Sequence, residues 1–100
     1  MLDVWQRMAD LPPVPVPDAA RAAVLVPLYE DGSGTVRVVF TKRPGDMPTH
    51  AHDVVFPGGM MVEGDAGPVA TATREAFEEI GLPPESVEVL GGLSPITTRN

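Results

Sequence analysis

Residues 56–82 read FPGGMMVEGDAGPVATATREAFEEIGL, and this stretch decides the fold. Gly67 followed by Pro68 is typical of a helix start, and Gly81 is typical of a helix end. Between these signals the apolar side chains recur at helical spacing. They are Val69, Ala72, Ala76 and Ile80. The pattern predicts a helix over Pro68–Ile80 that follows a glycine turn and a loop.

Three carboxylates share one face of this predicted helix. Glu75, Glu78 and Glu79 stand at i, i+3 and i+4. Like charges at this spacing destabilise a helix by roughly 0.2 to 0.5 kcal/mol per pair, and Arg74 is the one cation in the same turn. The alternatives are a solvated acidic face and a metal site. The glycine turn just upstream favours the metal site, because glycines let backbone N–H groups approach a ligand closely. Mg²⁺ binds a few carboxylates together with the phosphates of a substrate.

Short apolar runs bounded by turn residues predict the strands. The predicted strands cover residues 22–29, 35–41, 53–56 and 87–90. A hairpin loop is expected at residues 31–34, and an exposed loop with a functional role at residues 42–52. Pro57, Gly58 and Gly59 are predicted to form a tight turn whose backbone N–H groups approach a ligand closely.

The chain is expected to form one small domain with an arm. Residues 2–11 fit a short amphipathic helix, and a proline-rich stretch follows, so residues 1–20 are interpreted as an arm and linker and residues 21–100 as the domain. A net charge of −7 argues against nucleic acid as a partner, and no apolar run is long enough for a membrane span. The absence of cysteine and of an export signal fits the cytoplasm.

Residues 74–82, REAFEEIGL, resemble the second half of the motif of the Nudix hydrolases. The resemblance implies an α/β (α+β) fold: a Nudix-like α/β/α sandwich with a mixed sheet and a loop–helix–loop motif. It also implies a hydrolase that cleaves a pyrophosphate bond in a nucleoside diphosphate derivative with Mg²⁺ or Mn²⁺. Metal binding is carried onto Glu75, Glu78 and Glu79, and Arg74 would orient these carboxylates. The alternative role of Arg74 is an i,i+4 pair with Glu78. The catalytic base would be Glu78 or Glu75.

The loop before the helix resembles the branch of coenzyme A pyrophosphatases, which has one extra residue there. Met60 and Ala66 occupy the usual glycine and glutamate positions, while FPGG at 56–59 and TATREA at 71–76 follow the branch closely. The upstream branch signature is met only in part. The implied substrate is coenzyme A or acyl-CoA, cleaved to 3′,5′-ADP and 4′-phosphopantetheine. The alternatives are ADP-ribose, a dinucleotide, an oxidised nucleoside triphosphate, or a silent fragment that binds nucleotide or a partner.

Further residues have two interpretations each. Lys42 and Arg43, at a strand end, are either a phosphate clamp or a solvated pair, and Gly58 and Gly59 would contact the substrate through their backbone. Asp65 either joins the metal shell or caps the helix. His50 and His52 are either metal ligands or exposed loop residues. A Nudix domain is ordinarily longer, so the expectation is either a C-terminal truncation or a homodimer that exchanges strands.

Overall fold

The structure, a computed structural model, describes residues 4–14, 21–48 and 51–93. Its helices are α1 (Val4–Met8) and α2 (Pro68–Ile80), with a 3-10 turn at Pro84–Ser86. The strands are β1 (Ala22–Val24), β2 (Leu28–Glu30), β3 (Val36–Val38), β4 (Thr41–Lys42), β5 (Val54–Val55) and β6 (Gly58–Met60). The α/β class is therefore confirmed, with small sheets and one main helix. Neither helix is long and apolar enough to cross a membrane in the part of the chain described.

The strands form antiparallel pairs, β1 with β6, β2 with β3 and β4 with β5. The predicted mixed sheet is therefore not what the described residues show, since each of these three sheets has two strands. The predicted strand over residues 22–29 divides at Pro27, whose missing N–H interrupts a ladder. The backbone changes partner there: Leu25 donates to the Pro57 carbonyl at 2.8 Å, and the Pro27 carbonyl accepts from Val39 at 3.1 Å.

Gly58 and Gly59 lie in strand β6, after a bend at Pro57, so the prediction that these glycines form a tight turn is wrong. Gly58 pairs with Val24, and Gly59 pairs with Ala23. A methyl group on Gly58 would lie 2.5 Å from the Ala23 carbonyl oxygen, so the two strands approach too closely for any side chain there. Strand pairing, and not turn geometry, requires this glycine.

Helix α2 begins and ends where the local signals predict. Gly67 is the N-cap with a proline at the first helical turn, and Gly81 adopts a left-handed conformation (φ 71°) at the C-cap. The Gly81 N–H donates to the Phe77 carbonyl at 2.9 Å, which satisfies one of the last free carbonyls.

The small core lies between α2 and the β1–β6 pair. The helix packs against both strands and buries Thr71, Ala72 and Ala76. Because these side chains are small and β6 is glycine-rich, helix and strand approach closely. This contact brings the acidic residues of α2 next to the backbone of β6.

The two ends of the described chain differ from the sequence prediction. The predicted helix over residues 2–11 is observed as Val4–Met8, with residues 1–3 outside the described ranges. The strand predicted at residues 87–90 is not observed, because these residues follow the 3-10 turn and have no pairing partner among the residues that the structure describes. Gly92 instead donates to the Pro12 carbonyl at 2.8 Å, which ties the end of the arm to the end of the described domain.

The predicted hairpin between β2 and β3 is confirmed, and Asp31 organises its turn. The Asp31 carboxylate accepts hydrogen bonds from Ser33, Thr35 and Arg37. These bonds hold the pKa of Asp31 well below its usual value near 3.8, and the hydrogen bond from the Ser33 hydroxyl has the largest effect.

We expect Gly58→Ala to destabilise the chain by about 1 to 3 kcal/mol, because the new methyl group forces β1 and β6 apart. Urea unfolding followed by circular dichroism measures this effect. Gly32→Ala is the matched control, since nothing lies within 4 Å of a methyl group at that position. Equal stability of the two variants would contradict the close β1–β6 contact.

Stability should depend on the charge of Asp31 in a pH-dependent way. Its folded pKa is depressed, so its contribution is present above the unfolded pKa near 3.8 and is lost as the pH falls through the range below it. Asp31→Asn should therefore lower the melting temperature at neutral pH, and the difference should shrink below about pH 4. Thermal melts across this range test it; a difference that grows in acid would refute the assignment.

Candidate metal and active site

The side chain of Arg74 is the centre of the charged cluster on α2. Its Nη1 donates to Glu75 Oε1 at 2.9 Å and to Glu78 Oε2 at 3.2 Å. Its Nη2 donates to the Met60 carbonyl at 3.1 Å, and its Nε to Asp65 Oδ1 at 3.0 Å. One guanidinium therefore joins three carboxylates to the end of β6. The i,i+4 ion pair with Glu78, one of the two roles that the sequence permits, is present.

Asp65 directs both carboxylate oxygens to donors of the protein. It accepts from Arg74 through both oxygens, from the Thr71 hydroxyl at 2.8 Å and from the Val62 N–H at 3.0 Å. The hydrogen bond from Arg74 is the main reason why the pKa of Asp65 lies well below its usual range. The helix-cap interpretation is wrong, because Gly67 is the N-cap and no side chain caps α2.

Glu75 lies directly over Gly59. A methyl group on Gly59 would come within 2.8 Å of both Glu75 carboxylate oxygens and 2.5 Å from Cδ. The absent side chain at Gly59 makes the space in which this carboxylate sits. Only 19% of the Glu75 side chain is exposed, so its position is determined by Gly59 on one side and Arg74 on the other.

Glu79 lies beside Glu75, on the side of the helix facing Gly58. Burial of its carboxyl raises the pKa of Glu79, and the neighbouring negative charge of Glu75 raises it further. A hydrogen bond from the Gly58 backbone and the positive charge of Arg43 act in the opposite direction. Two carboxylates thus meet at close range with incomplete compensation, an arrangement that a divalent cation would stabilise.

The third glutamate is placed differently. The Glu78 side chain is 55% exposed and is paired with Arg74, so the three glutamates do not converge on one point. The described residues contain no group of three or more His, Cys, Asp or Glu side chains arranged to hold a metal ion. Mg²⁺ ordinarily uses one or two carboxylates, several waters and substrate phosphates. Glu75 and Glu79 fit this requirement, with Glu78 at the rim.

A cavity of about 320 Å³ opens beside Glu79. Its wall combines two cations, one carboxylate and apolar groups from β4, β5 and the loop after β4. The lining residues are Thr41, Lys42, Arg43, Pro44, Met47, Val55 and Glu79. The structure therefore brings Lys42 and Arg43 to the same cavity as a glutamate of α2, although these residues are far apart in the sequence.

The remaining predicted residues are two glycines and two histidines. Gly58 and Gly59 line the carboxylates of α2 with their backbone, as described above. His52 adopts a left-handed backbone conformation (φ 66°), and its imidazole packs over Gly45. His50 lies outside the described residues.

Thr71 is the residue of this cluster to which the sequence assigned no role. Its side chain is fully buried, and its hydroxyl donates to Asp65 and to the Gly67 carbonyl at 3.2 Å. The available signal was its spacing: Thr71 lies one helical turn before Glu75, on the acidic face of α2.

Comparison with known proteins identifies the family. The model of the NUDIX domain matches residues 19–100. The chain belongs to the Nudix family. Nudix hydrolase 15, mitochondrial, of Arabidopsis thaliana is 46% identical over 80 residues, which is 80% of this chain and 28% of the plant protein. The Nudix hydrolase NudL of Klebsiella aerogenes is 41% identical over 95% of this chain and 78% of its own.

The Nudix chain is shorter than many of its relatives. It spans 26% of Nudix hydrolase 22, chloroplastic, of Arabidopsis thaliana, at 45% identity over 80 residues. It spans 45% of NudL from Pectobacterium atrosepticum, at 44% identity. The acidic helix α2 and strand β6 both fall within the matched Nudix domain.

The contact between Gly59 and Glu75 can be tested by Gly59→Ala. The added methyl group meets the far end of a flexible side chain, so we expect a folded protein in which Glu75 is displaced. Any metal-dependent activity should fall by about tenfold or more, while the melting temperature changes little. Gly64→Ala, which meets nothing within 4 Å but carries a backbone φ of 99°, controls for the general cost of removing a glycine. Unchanged activity in Gly59→Ala would refute the predicted displacement of Glu75.

Proposed function

We propose that this Nudix domain hydrolyses a pyrophosphate bond in a nucleoside diphosphate derivative, with Mg²⁺ or Mn²⁺ as cofactor. The observation that carries the proposal is the pair of adjacent carboxylates, Glu75 and Glu79, held against the glycines of β6 beside a cavity with two cations. A site with carboxylates for a metal and cations for phosphate oxygens suits phosphoryl chemistry.

Each glutamate of α2 has a proposed role. Glu75 and Glu79 would hold the cation, which when bound supplies Lewis-acid polarisation of the phosphoryl oxygens. Glu78 is the better candidate for the base, because its side chain is the more exposed and reaches solvent water, whereas Glu75 is enclosed by Gly59 and Arg74. Arg74 orients Glu75 and Glu78 through Nη1.

The cations of the cavity would bind the substrate phosphates. Arg43 acts electrostatically on Glu79, so a substrate phosphate beside Glu79 would lie within its reach. Lys42 lines the same cavity and supplies a second positive charge. Gly58 and Gly59 allow the backbone of β6 to approach both the carboxylates and a bound phosphate.

The proposed substrate is coenzyme A or acyl-CoA, with 3′,5′-ADP and 4′-phosphopantetheine as products. The support is the resemblance of residues 56–59 and 71–76 to the coenzyme A pyrophosphatase branch. The apolar wall formed by Pro44, Met47 and Val55 also suits an aliphatic chain better than a stacked base. The domain is proposed to be residues 21–100. A cytoplasmic location stays a prediction, since the two plant relatives carry organelle names.

The test is incubation of the chain with coenzyme A or ADP-ribose, with Mg²⁺, Mn²⁺ or chelator. We expect metal-dependent release of 3′,5′-ADP from coenzyme A, detected by chromatography. Glu79→Gln should reduce it by more than about a hundredfold, because the variant loses a proposed direct ligand. Glu88→Gln is the matched control, since Glu88 is exposed and lies outside the cluster.

The outcomes separate the alternatives. Release of AMP from ADP-ribose alone would keep the hydrolase and overturn the substrate. A folded chain without turnover on either compound would overturn the enzymatic proposal and favour nucleotide binding without catalysis. Equal rates for the Glu79 and Glu88 variants would remove Glu79 from the metal site.

A further inference from the structure

Asp65 is the least exposed carboxylate in the Arg74 cluster. Its side chain is 6% exposed and lies in the loop between β6 and α2, one residue before the position at which the general family motif has its glutamate. Two hydrogen bonds come from Arg74, through Nε at 3.0 Å and Nη2 at 3.1 Å. The other two come from Thr71 and from the Val62 N–H, so Asp65 itself is held on two sides.

The ion pair between Asp65 and Arg74 determines which N–H groups of Arg74 remain available to the glutamates. Nε and Nη2 are directed to Asp65, and Nη2 also donates to the Met60 carbonyl. Only Nη1 reaches Glu75 and Glu78, and it is shared between them. Because a guanidinium is planar, fixing one edge fixes the direction of the rest.

If Asp65 lost its negative charge, Arg74 would no longer have a buried carboxylate that competes with the glutamates for its N–H groups. Its freed edge would turn toward Glu75 and Glu78, which are negative and already in contact with Nη1. A fully paired Glu75 would be a weaker ligand for a divalent cation, since the guanidinium would occupy oxygens that the cation requires.

We propose that Asp65 is a positioning residue that restrains Arg74 and thereby leaves Glu75 available to a divalent cation. The inference rests on the proposed metal site. It assigns Asp65 an effect on metal affinity that acts only through Arg74, which distinguishes it from a residue that simply stabilises the loop.

The experiment measures Mn²⁺ binding to the chain by electron paramagnetic resonance, without substrate. Asp65→Asn should weaken Mn²⁺ binding by about tenfold or more, the usual size of an effect through a neighbouring residue. Asp65→Glu keeps the negative charge and should retain most of the affinity. Asp31→Asn is the matched control, because Asp31 also accepts from an arginine and from backbone N–H groups, all within the β2–β3 hairpin.

The decisive variant combines Asp65→Asn with Arg74→Gln. If Asp65 acts by restraining Arg74, removing the arginine as well should restore Mn²⁺ affinity relative to Asp65→Asn alone. If Asp65 only stabilises the loop, the double variant should bind as weakly as the single variant or more weakly, and the proposal is overturned. Circular dichroism and thermal melts establish that each variant is folded.

The remaining outcomes are also decisive. Should Asp65→Asn fail to fold, Asp65→Glu decides: a tenfold loss of affinity in that folded variant would overturn the proposal, and retained affinity would support it. Equal Mn²⁺ binding by the parent chain and Asp65→Asn would refute this inference and leave the metal site standing. A parent chain that binds no Mn²⁺ would overturn both the metal site and the inference.

Discussion

The close approach of α2 to β6 is the constraint on which the rest of the site depends. It exists because the facing residues are small: Ala72 and Ala76 on the helix, and Gly58 and Gly59 on the strand. The same packing that forms the core therefore brings the glutamates to the backbone of β6. Few of the described residues are buried, so the packing that stabilises this part of the chain also places the acidic side chains of the site.

The negative charges of the site are arranged around one arginine. Arg74 contacts Asp65, Glu75 and Glu78, while Glu79 faces Gly58 and the field of Arg43. Arg74 thus compensates the charges of Asp65, Glu75 and Glu78. The repulsion within the adjacent pair, Glu75 and Glu79, is compensated only in part. The pair is where a cation has most to contribute, and the cavity beside it is where a phosphate would arrive.

Local signals predicted the helix and its ends, because a proline at the start and a left-handed glycine at the end act within a few residues. They predicted the β2–β3 hairpin but not the division of β1 from β2 at Pro27, where the backbone changes partner, nor β6, which depends on a distant strand. The spacing of the glutamates predicted a shared face. The spacing also permitted the i,i+4 pair of Arg74 with Glu78. It did not predict that Asp65 would hold Arg74, because that contact depends on the folded loop.

The most direct test of the cation site is paramagnetic broadening in the amide NMR spectrum of the isotope-labelled chain. Small additions of Mn²⁺ should broaden the signals of Gly58, Gly59, Glu75 and Glu79 first, because their amides lie nearest to the paired carboxylates. Signals of the β2–β3 hairpin around Asp31 should stay sharp at the same concentration. Uniform broadening, or broadening that begins at the hairpin, would contradict a cation site at Glu75 and Glu79.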